Sequence, residues 1–369
     1  MKKRLLALFL TGAMVCSMTA CGGSDTAGTK TEDTTKTSES QDAASTEEGS
    51  TGSVAIEDIW TKGETVNFDV AAKAGGGTDL YTRYLTAALG EVYPEANYVV
   101  TNYDTAEVGA EHCKNAKGDG LTLTVAACTS MDNYLTGASN VNPNEDYRVV
   151  AKLHDGGPQA IIAKPGAPYT NLEELGAYIN EHPGEVTVGC ALGGTSQIIL
   201  YSIIDAITDG NGDAVNYVQS ASEADKLTNT ASAAIDIANC SIPNAQAYEA
   251  DGKLTILGTI APEIATLESM SELVGLDLGD SFKTTLEQGV DFTWDAGYYV
   301  MAPADTPDEI CEAINSIIVK AAGQDSFVEG MKKMASYQNV PDLAGAEADW
   351  NAEWEFQNEI TEKLGWKVR

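Results

Sequence analysis

Two glycine-rich segments of the chain carry residues whose types and spacing suit the binding of an anion. The residues concerned are Gly75, Gly76, Gly77, Thr78 and Asp79 in the first segment, and Gly193, Gly194, Thr195 and Ser196 in the second. Each segment follows a predicted strand and opens a predicted helix, where unpaired backbone N–H groups and the positive end of the helix dipole favour negative charge. Glycine leaves room for a ligand to approach the backbone. Two such helix ends together supply about one positive charge, which matches a single carboxylate.

A glycine-rich turn between a strand and a helix is also an ordinary connection, and for either segment alone both interpretations stay open. The occurrence of two such segments, one in each half of the chain, favours two lobes that grip one anionic ligand. Asp79 either touches a ligand that carries an amine or fixes its own loop, because two neighbouring carboxylates repel each other.

The elements around these segments alternate between strands and helices from residue 65 onwards, which predicts an α/β architecture with parallel sheets. Ligands of such sheets bind beyond the carboxyl ends of the strands, where both glycine-rich segments fall. Thr129 and Ser130 follow a buried strand predicted at residues 121–128, so their hydroxyls are candidate donors to the same ligand. Tyr217, on a short predicted strand, either closes over the ligand or packs in the core. A further strand is predicted at residues 234–238.

The N-terminus has the pattern of an export signal. A basic start precedes an apolar run at residues 5–18, which is shorter than the roughly 20 residues of a membrane-spanning helix. Small residues then precede Cys21, so residues 1–20 are predicted to be a lipoprotein signal peptide and Cys21 the lipidated N-terminus; a plain signal peptide is the alternative. The segment at residues 21–57 has almost no large apolar side chain and is predicted to form a disordered tether with a reach of roughly 30–35 Å.

The composition limits the classes of function. The formal net charge of −33 over 369 residues argues against nucleic acid as a partner. Five cysteines lie beyond the signal region: Cys113, Cys128, Cys190, Cys240 and Cys311. No two of them form a C-x-x-C motif, so the sequence does not support a metal site and we expect no cofactor. The sequence leaves open whether two of these cysteines form a disulfide. The three histidines lie outside any zinc or nucleophile-elbow motif, which argues against an enzyme.

Several segments resemble one family in their order along the chain. Residues 70–83 (V-A-A-K-A-G-G-G-T-D-L-Y-T-R) resemble the signature P-x-x-A-G-G-x-x-D-x-x-x-R of the Bug-type receptors, the solute-binding subunits of tripartite tricarboxylate transporters. Residues 188–197 resemble the family segment G-S-A-G-x-G-S-S-x-H, and residues 301–307 resemble A-P-A-G-T-P. Ala71 and Gln197 depart from the proline and the histidine that are usual in the family.

The resemblance implies a two-lobed periplasmic-binding-protein type II (Venus-flytrap) fold with mixed, mainly parallel sheets. Residues 58–155 and 293–369 are expected to form lobe I, and residues 156–292 are expected to form lobe II. Both glycine-rich segments, with Thr129, Ser130 and Tyr217, are expected to line an interlobe cleft that holds a carboxylate.

The function implied is that of a monomeric extracytoplasmic solute-binding lipoprotein. It would capture a small carboxylate and deliver it to the membrane subunits of a tripartite tricarboxylate-type secondary transporter. The expected location is the outer face of the cytoplasmic membrane or the periplasmic side, with a lipid anchor at Cys21. The alternatives are a binding protein of an ABC-type importer, a ligand sensor, and a secreted hydrolase. The sequence leaves the identity and charge of the ligand open.

Overall fold

The computed structural model describes residues 54–103, 105–220 and 222–369. The predicted signal peptide, Cys21 and residues 22–53 of the predicted tether lie outside these ranges, so the interpretation of that region stays a prediction. The described residues fall in one compact unit. Within the described ranges, no helix combines the length and the apolar character that a membrane crossing requires.

The described residues form ten β-strands and twelve α-helices. The strands are β1 (Thr65–Val70), β2 (Asn97–Asn102), β3 (Thr122–Ala127), β4 (Tyr147–His154), β5 (Gln159–Ala163), β6 (Thr187–Cys190), β7 (Asn216–Gln219), β8 (Ile237–Ser241), β9 (Thr255–Ile260) and β10 (Tyr298–Pro303). The helices are α1 (Ile56–Ile59), α2 (Gly77–Val92), α3 (Ala106–Lys114), α4 (Cys128–Leu135), α5 (Leu172–Glu181), α6 (Thr195–Ile207), α7 (Glu223–Ala231), α8 (Ile242–Ala250), α9 (Leu267–Val274), α10 (Asp308–Ala322), α11 (Asp325–Lys333) and α12 (Leu343–Lys363).

The strands form two mixed sheets. The first sheet has the order β2-β1-β3-β10-β4, and the second has the order β7-β6-β8-β5-β9. In each sheet one strand runs against the others, because β10 and β5 pair antiparallel with both of their neighbours. The remaining pairs are parallel. The α/β architecture with two mixed, mainly parallel sheets confirms the predicted fold class.

The chain passes between the two sheets twice. Strand β4 of the first sheet leads to β5 of the second through residues 155–158, and β9 leads back to β10 through residues 261–297. The first sheet therefore joins strands from early and late parts of the chain. The predicted lobe boundaries near residues 155 and 293 stay a prediction; below, lobe I and lobe II denote the parts built on the first and the second sheet.

Each sheet has its own apolar core. In lobe I, Leu85 and Leu89 of α2 pack with Phe68 of β1, and Ile314 and Ile318 of α10 belong to the same fully buried cluster. The spacing of four residues places each helical pair on one face of its helix. In lobe II, residues 198–204 of α6 are all buried, as expected of a helix with apolar residues on every side.

Two strand predictions differ from the structure. Thr129 and Ser130 lie in the first turn of α4 rather than at the end of a strand, because the extended backbone of Ala127 already caps a helix. Strand β8 begins at Ile237 rather than at residue 234, since Ala233 adopts a left-handed conformation (φ +58°) after the end of α7. The hydroxyls of Thr129 and Ser130 therefore project from a helix start.

The cysteines of the described ranges are structural. All five are buried and free, so no disulfide joins them. Burial raises the pKa of Cys190 and of Cys311 to about 11, which keeps both as neutral thiols near neutral pH. They behave as small apolar core residues.

Candidate functional site

The two glycine-rich turns share one backbone geometry. Gly75 and Gly193 both adopt the left-handed conformation, with φ of +84° and +75°, which glycine adopts without steric strain. The next residue of each turn, Gly76 or Gly194, has an extended backbone and forms the N-cap of α2 or α6. Two segments that are similar in sequence are therefore similar in three dimensions as well.

A side chain four residues further along the chain holds each turn. The amide of Gly75 donates to Asp79 Oδ2 at 2.8 Å, and the amide of Gly193 donates to Gln197 Oε1 at 2.9 Å. Gln197 thus holds the second turn in the way that Asp79 holds the first. Gln197 stands at the position of the histidine in the resembling segment, and its amide oxygen accepts the N–H of Gly193.

Asp79 forms its side-chain contacts within lobe I. The side chain is 2 % exposed, and Arg83 Nε lies 2.9 Å from its Oδ1. Burial alone would raise the pKa of this carboxyl, but hydrogen bonds from Arg83, Gly75 and Asn102 lower it below its ordinary value. Both carboxylate oxygens have partners in the same lobe, so the structure favours the interpretation that Asp79 fixes its own loop.

The first-turn amides of α2 and α6 are the unpaired donors of the two turns. Gly77 and Thr78 in α2, and Thr195 and Ser196 in α6, donate their N–H groups to no acceptor among the described residues. The amides of the N-cap glycines differ, because each bonds to the carbonyl three residues earlier, at 3.4 Å in the first turn and 3.1 Å in the second. Each helix end therefore offers at least two free N–H groups and the positive end of its dipole to a ligand.

Tyr298 lies over the first turn. Its hydroxyl would be 3.3 Å from a Cβ on Gly77. The ring centroid of Tyr298 lies 4.7 Å from that of Tyr81 and 5.0 Å from that of His154. Burial lowers the pKa of His154 to about 4, so its ring is neutral near pH 7. The first turn is thus flanked by uncharged aromatic rings.

A cavity of about 400 Å³ extends from the second turn to lobe I. Thr195 and Ser196 line it from lobe II, whereas Tyr81 of α2 and residues 334–336 line it from lobe I. Residues 157–159, where the chain passes from the first sheet to the second, line it as well. The cavity is therefore bounded by both lobes, and clefts between lobes are common ligand sites.

Three other candidate residues line a different, smaller cavity. Thr78, Thr129 and Ser130 border a space of about 120 Å³ within lobe I. Ser130 Oγ donates to the carbonyl of Ala127 at 2.7 Å. The structure thus brings Thr195 and Ser196 together on the interlobe cavity and places the other hydroxyls on the lobe I cavity.

Tyr217 packs inside lobe II. Its hydroxyl donates to the carbonyl of Gly212 at 2.9 Å, and its ring centroid lies 6.1 Å from that of Tyr201. The ring packs against the apolar cluster around α6. The structure favours the packing interpretation, and we leave Tyr217 out of the site proposed below.

Asp132 of α4 brings lobe I into contact with the second turn. Thr195 Oγ1 donates to Asp132 Oδ2 at 2.8 Å, and the buried Oδ1 has no partner among the described residues. Burial raises the pKa of Asp132 to about 6 despite the hydrogen bond from Thr195. A titratable carboxyl therefore stands beside a candidate anion site. No sequence pattern pointed to Asp132, because the predicted strand extends to residue 128, where α4 begins.

Lys226 of α7 is a second residue that the sequence did not reveal. It is 8 % exposed and lines the interlobe cavity together with Asn239. Its Nζ donates to Asn239 Oδ1 at 2.7 Å. Most residues of α7 are polar, so no hydrophobic pattern distinguishes this buried lysine from a solvated one.

Solved structures with the same fold are periplasmic solute-binding proteins. A TctC solute-binding protein from Polaromonas, solved without ligand, has a TM-score of 0.66 at 21% identity and covers 81% of this chain and 98% of its own. Two proteins from Rhodopseudomonas palustris, one solved with malate and one with adipate, have TM-scores of 0.56 and 0.58, each at 19% identity. They cover 80% and 82% of this chain, and 98% and 97% of their own. These likenesses confirm the two-lobed periplasmic-binding-protein fold.

The family follows from the sequence match. The model of the tripartite tricarboxylate transporter family receptor, TctC, matches residues 98–342, and the chain belongs to this family. A UPF0065 protein from Bordetella pertussis is 25% identical over 266 residues, which cover 69% of this chain and 75% of that protein. The protein is thus an extracytoplasmic solute-binding receptor, and the family confirms the interpretation as a binding protein rather than an enzyme.

Proposed function

We propose that the protein captures a small carboxylate between its lobes and holds it through backbone amides of the two glycine-rich turns. The observation that carries this proposal is the repeated turn, in which a left-handed glycine, an N-cap glycine and two unpaired amides recur at the starts of α2 and α6. Two helix ends together supply about one positive charge, the charge that one carboxylate requires. The neighbours solved with malate and with adipate support this class of ligand.

The position of the two turns links capture of the ligand to its transport. The turns belong to different lobes, so binding of one carboxylate by both favours a closed arrangement of the lobes. Membership of the receptor family supports delivery of the ligand to the membrane subunits of a tripartite tricarboxylate transporter, rather than to an ABC-type importer or a sensor.

The same proposal includes a lipid anchor. Cys21, acylated after cleavage of residues 1–20, would hold the receptor at the outer face of the cytoplasmic membrane. The tether would be the segment from Cys21 to the start of α1, because Ile56 and residue 57 of the predicted tether already belong to that helix. In cells fed a labelled fatty acid, the wild type is expected to carry the label and a Cys21→Ser variant is expected to lose it. An unlabelled wild type, or equal labelling of the variant, would contradict the anchor.

The test of carboxylate capture removes one amide of α6. Proline at the first helical position lacks an N–H but suits the helix, and the extended backbone of Gly194 (φ −125°, ψ 173°) accommodates a following proline. Thr195→Pro is expected to weaken the binding of succinate or adipate about 10–100-fold, the effect of losing one hydrogen bond to a charged group. Isothermal titration calorimetry measures the change.

Two control variants separate the loss of the Thr195 backbone N–H from the other effects of the Thr195→Pro substitution. Thr195→Val keeps the amide and removes the hydroxyl that donates to Asp132, so the comparison of the two Thr195 variants isolates the N–H group. Asp325→Pro makes the same backbone change at the exposed start of α11, away from the residues that line the interlobe cavity, and is expected to bind as the wild type does. Equal affinities for Thr195→Pro and Thr195→Val, or a wild-type protein that binds only cations or neutral sugars, would show the proposal to be wrong.

A further inference from the structure

Lys226 is a buried cation that forms no ion pair with a carboxylate of the described residues, although Glu223 acts on it from a greater distance. Its ammonium donates to the amide oxygen of Asn239, and no carboxylate of the described residues lies within 4.0 Å of it. Burial of an ammonium is costly unless the group is paired, and here burial lowers the pKa of Lys226. The amide oxygen of Asn239 accepts a hydrogen bond from one of the three N–H groups of the ammonium. Because the amide is neutral, it does not balance the positive charge.

Lys152 shows how the same chain buries a lysine for structural reasons. It is 3 % exposed, and its Nζ lies 2.5 Å from Asp155 and 2.7 Å from Asp349. Burial alone would lower the pKa of Lys152, but these two carboxylates raise it above its ordinary value. Lys226 has no such contact, and Glu223, which acts to raise its pKa, does not offset the effect of burial. The contrast indicates that a contact partner for this ammonium comes from outside the chain.

The cavity places Lys226 on the surface that a ligand would touch. Lys226 lines the same interlobe space as Thr195 and Ser196, and Glu223 is the other charged residue on its wall. The Oε1 atom of Glu223 accepts hydrogen bonds from Ser241, at 2.6 Å from the hydroxyl, and from Asn244, which hold this carboxylate against the start of α8. Lys226 is thus the cation that faces the proposed carboxylate site.

The partner of Lys226 holds it in position. Asn239 is 1 % exposed, and its Nδ2 donates to Oε1 of Gln159, which follows directly after the passage from the first sheet to the second. Asn239 therefore presents its Oδ1 to the ammonium in one fixed orientation. A lysine fixed in this way loses little further conformational freedom when it binds an anion.

We propose that Lys226 binds a second anionic group of the ligand, so that the receptor selects dicarboxylates over monocarboxylates of the same chain length. This inference rests on the proposed function, in which the glycine-rich turns hold the first carboxylate. A monocarboxylate would fill the same space and leave the buried ammonium unpaired. Sites with a buried polar group discriminate strongly against ligands that leave that group without a partner.

The test compares matched pairs of ligands on the full receptor. Succinate and butyrate share one chain length, and adipate and hexanoate share another, so each pair differs in one carboxylate. Lys226→Met is expected to weaken the preferred dicarboxylate about 10–100-fold and to change the affinity for its monocarboxylate partner by less than about 3-fold. Lys226→Arg keeps the charge and is expected to retain part of the preference.

The controls distinguish this inference from the proposed function and from misfolding. Lys253→Met removes an exposed lysine that pairs with Asp251 in the same lobe, and is expected to leave both affinities unchanged. Lys226→Gln can still donate to Asn239 and replaces Lys226→Met if the latter does not fold. An unchanged dicarboxylate-to-monocarboxylate ratio in these Lys226 variants, or equal weakening of both ligands, would overturn the inference. A wild-type protein that binds neither pair would instead overturn the proposed function.

Discussion

At the scale of single residues, buried carboxyls set the response of the protein to pH. Both carboxyl oxygens of Glu353, on α12, are shielded from solvent. Burial raises the pKa of Glu353 to about 8, although Lys152 nearby acts to lower it. Glu353 is therefore neutral near pH 7 in the folded protein and ionised in the unfolded chain.

This difference predicts the pH dependence of a Glu353→Gln variant. A folded-state pKa above the ordinary value contributes stability that is present at low pH and is lost as pH rises from about 4.5 to about 8. Glutamine resembles the protonated acid at every pH, so the variant is expected to match the wild type at pH 4.5 and to melt at least about 3 °C higher at pH 8.5. Thermal unfolding followed by circular dichroism measures both temperatures.

Glu355→Gln is the matched control for that prediction. Glu355 lies on the exposed side of the same helix. Its substitution is expected to give a difference in melting temperature that does not depend on pH. A Glu353→Gln variant with the same difference from wild type at pH 4.5 and pH 8.5 would contradict the assignment of a raised pKa.

At the scale of elements, the sequence predicted those helices and turns that short runs of neighbouring residues determine. The glycine-rich segments predicted the two turns, because the left-handed conformation of Gly75 and Gly193 favours glycine. The spacing of Leu85 and Leu89 is likewise that of one helix face, and both are buried in α2. The start of α4 was missed, since the apolar run before Cys128 has no periodicity that marks where the strand ends.

Long-range contacts explain what the sequence could not reveal at the site. Asp132 belongs to the site because it accepts a hydrogen bond from Thr195, 63 positions further along the chain. Lys226 belongs to the site because it donates to Asn239, which β8 places beside it. Neither pairing leaves a local pattern in the sequence. The resemblance to a family predicted the turns, but not the charged residues between the lobes.

The acceptors that hold the two turns give a prediction at this scale. Asp79→Ala and Gln197→Ala each remove the side chain that accepts a glycine amide, at 2.8 Å and 2.9 Å. Gln197→Ala is expected to lose about 1 kcal/mol of unfolding free energy, and Asp79→Ala is expected to lose more. Each is expected to bind the carboxylate several-fold more weakly, because the turn is no longer fixed before binding. Denaturant unfolding and calorimetry measure the two effects.

The two turn variants differ in one respect, which provides an internal comparison. Asp79 also pairs with Arg83, whereas Gln197 has no charge to lose. Asp79→Ala is therefore expected to destabilise the protein more than Gln197→Ala, with similar effects on affinity. Unchanged affinity in both variants would show that the turns do not contact the ligand.

At the scale of the whole molecule, a strongly acidic protein is proposed to bind an anion. The formal net charge is −33, yet at physiological salt the Debye length is about 8 Å, so distant surface carboxylates are largely screened from a closed cleft. The attraction must therefore come from groups at the cleft itself, namely the two helix ends and Lys226. Two carboxyl groups oppose them: Asp132, which carries a negative charge next to Thr195 when ionised, and Glu223 on the wall of the cavity.

The contact between Asp132 and Thr195 therefore links the pH to the affinity of the receptor as a whole. The raised pKa of about 6 means that Asp132 is mainly ionised at pH 7.5 and mainly neutral at pH 5. An ionised Asp132 repels a carboxylate at the start of α6, so the affinity of the wild type for a carboxylate is expected to rise about 3–10-fold between pH 7.5 and pH 5. The ligand itself remains mostly ionised over this range if its carboxyl groups titrate near pH 4.

Asp132→Asn tests the cause of this pH dependence. The amide oxygen of asparagine can still accept the Thr195 hydroxyl, and the variant carries no charge at any pH. The variant is expected to bind the carboxylate at pH 7.5 as tightly as the wild type does at pH 5. Its affinity is expected to change little between these two pH values. Calorimetric titration at both pH values, with Thr195→Val as the control that keeps Asp132 and removes its hydrogen bond, measures the effect. Weaker binding by Asp132→Asn at pH 7.5 would instead mean that Asp132 attracts the ligand, as a carboxylate does when the ligand carries an ammonium group.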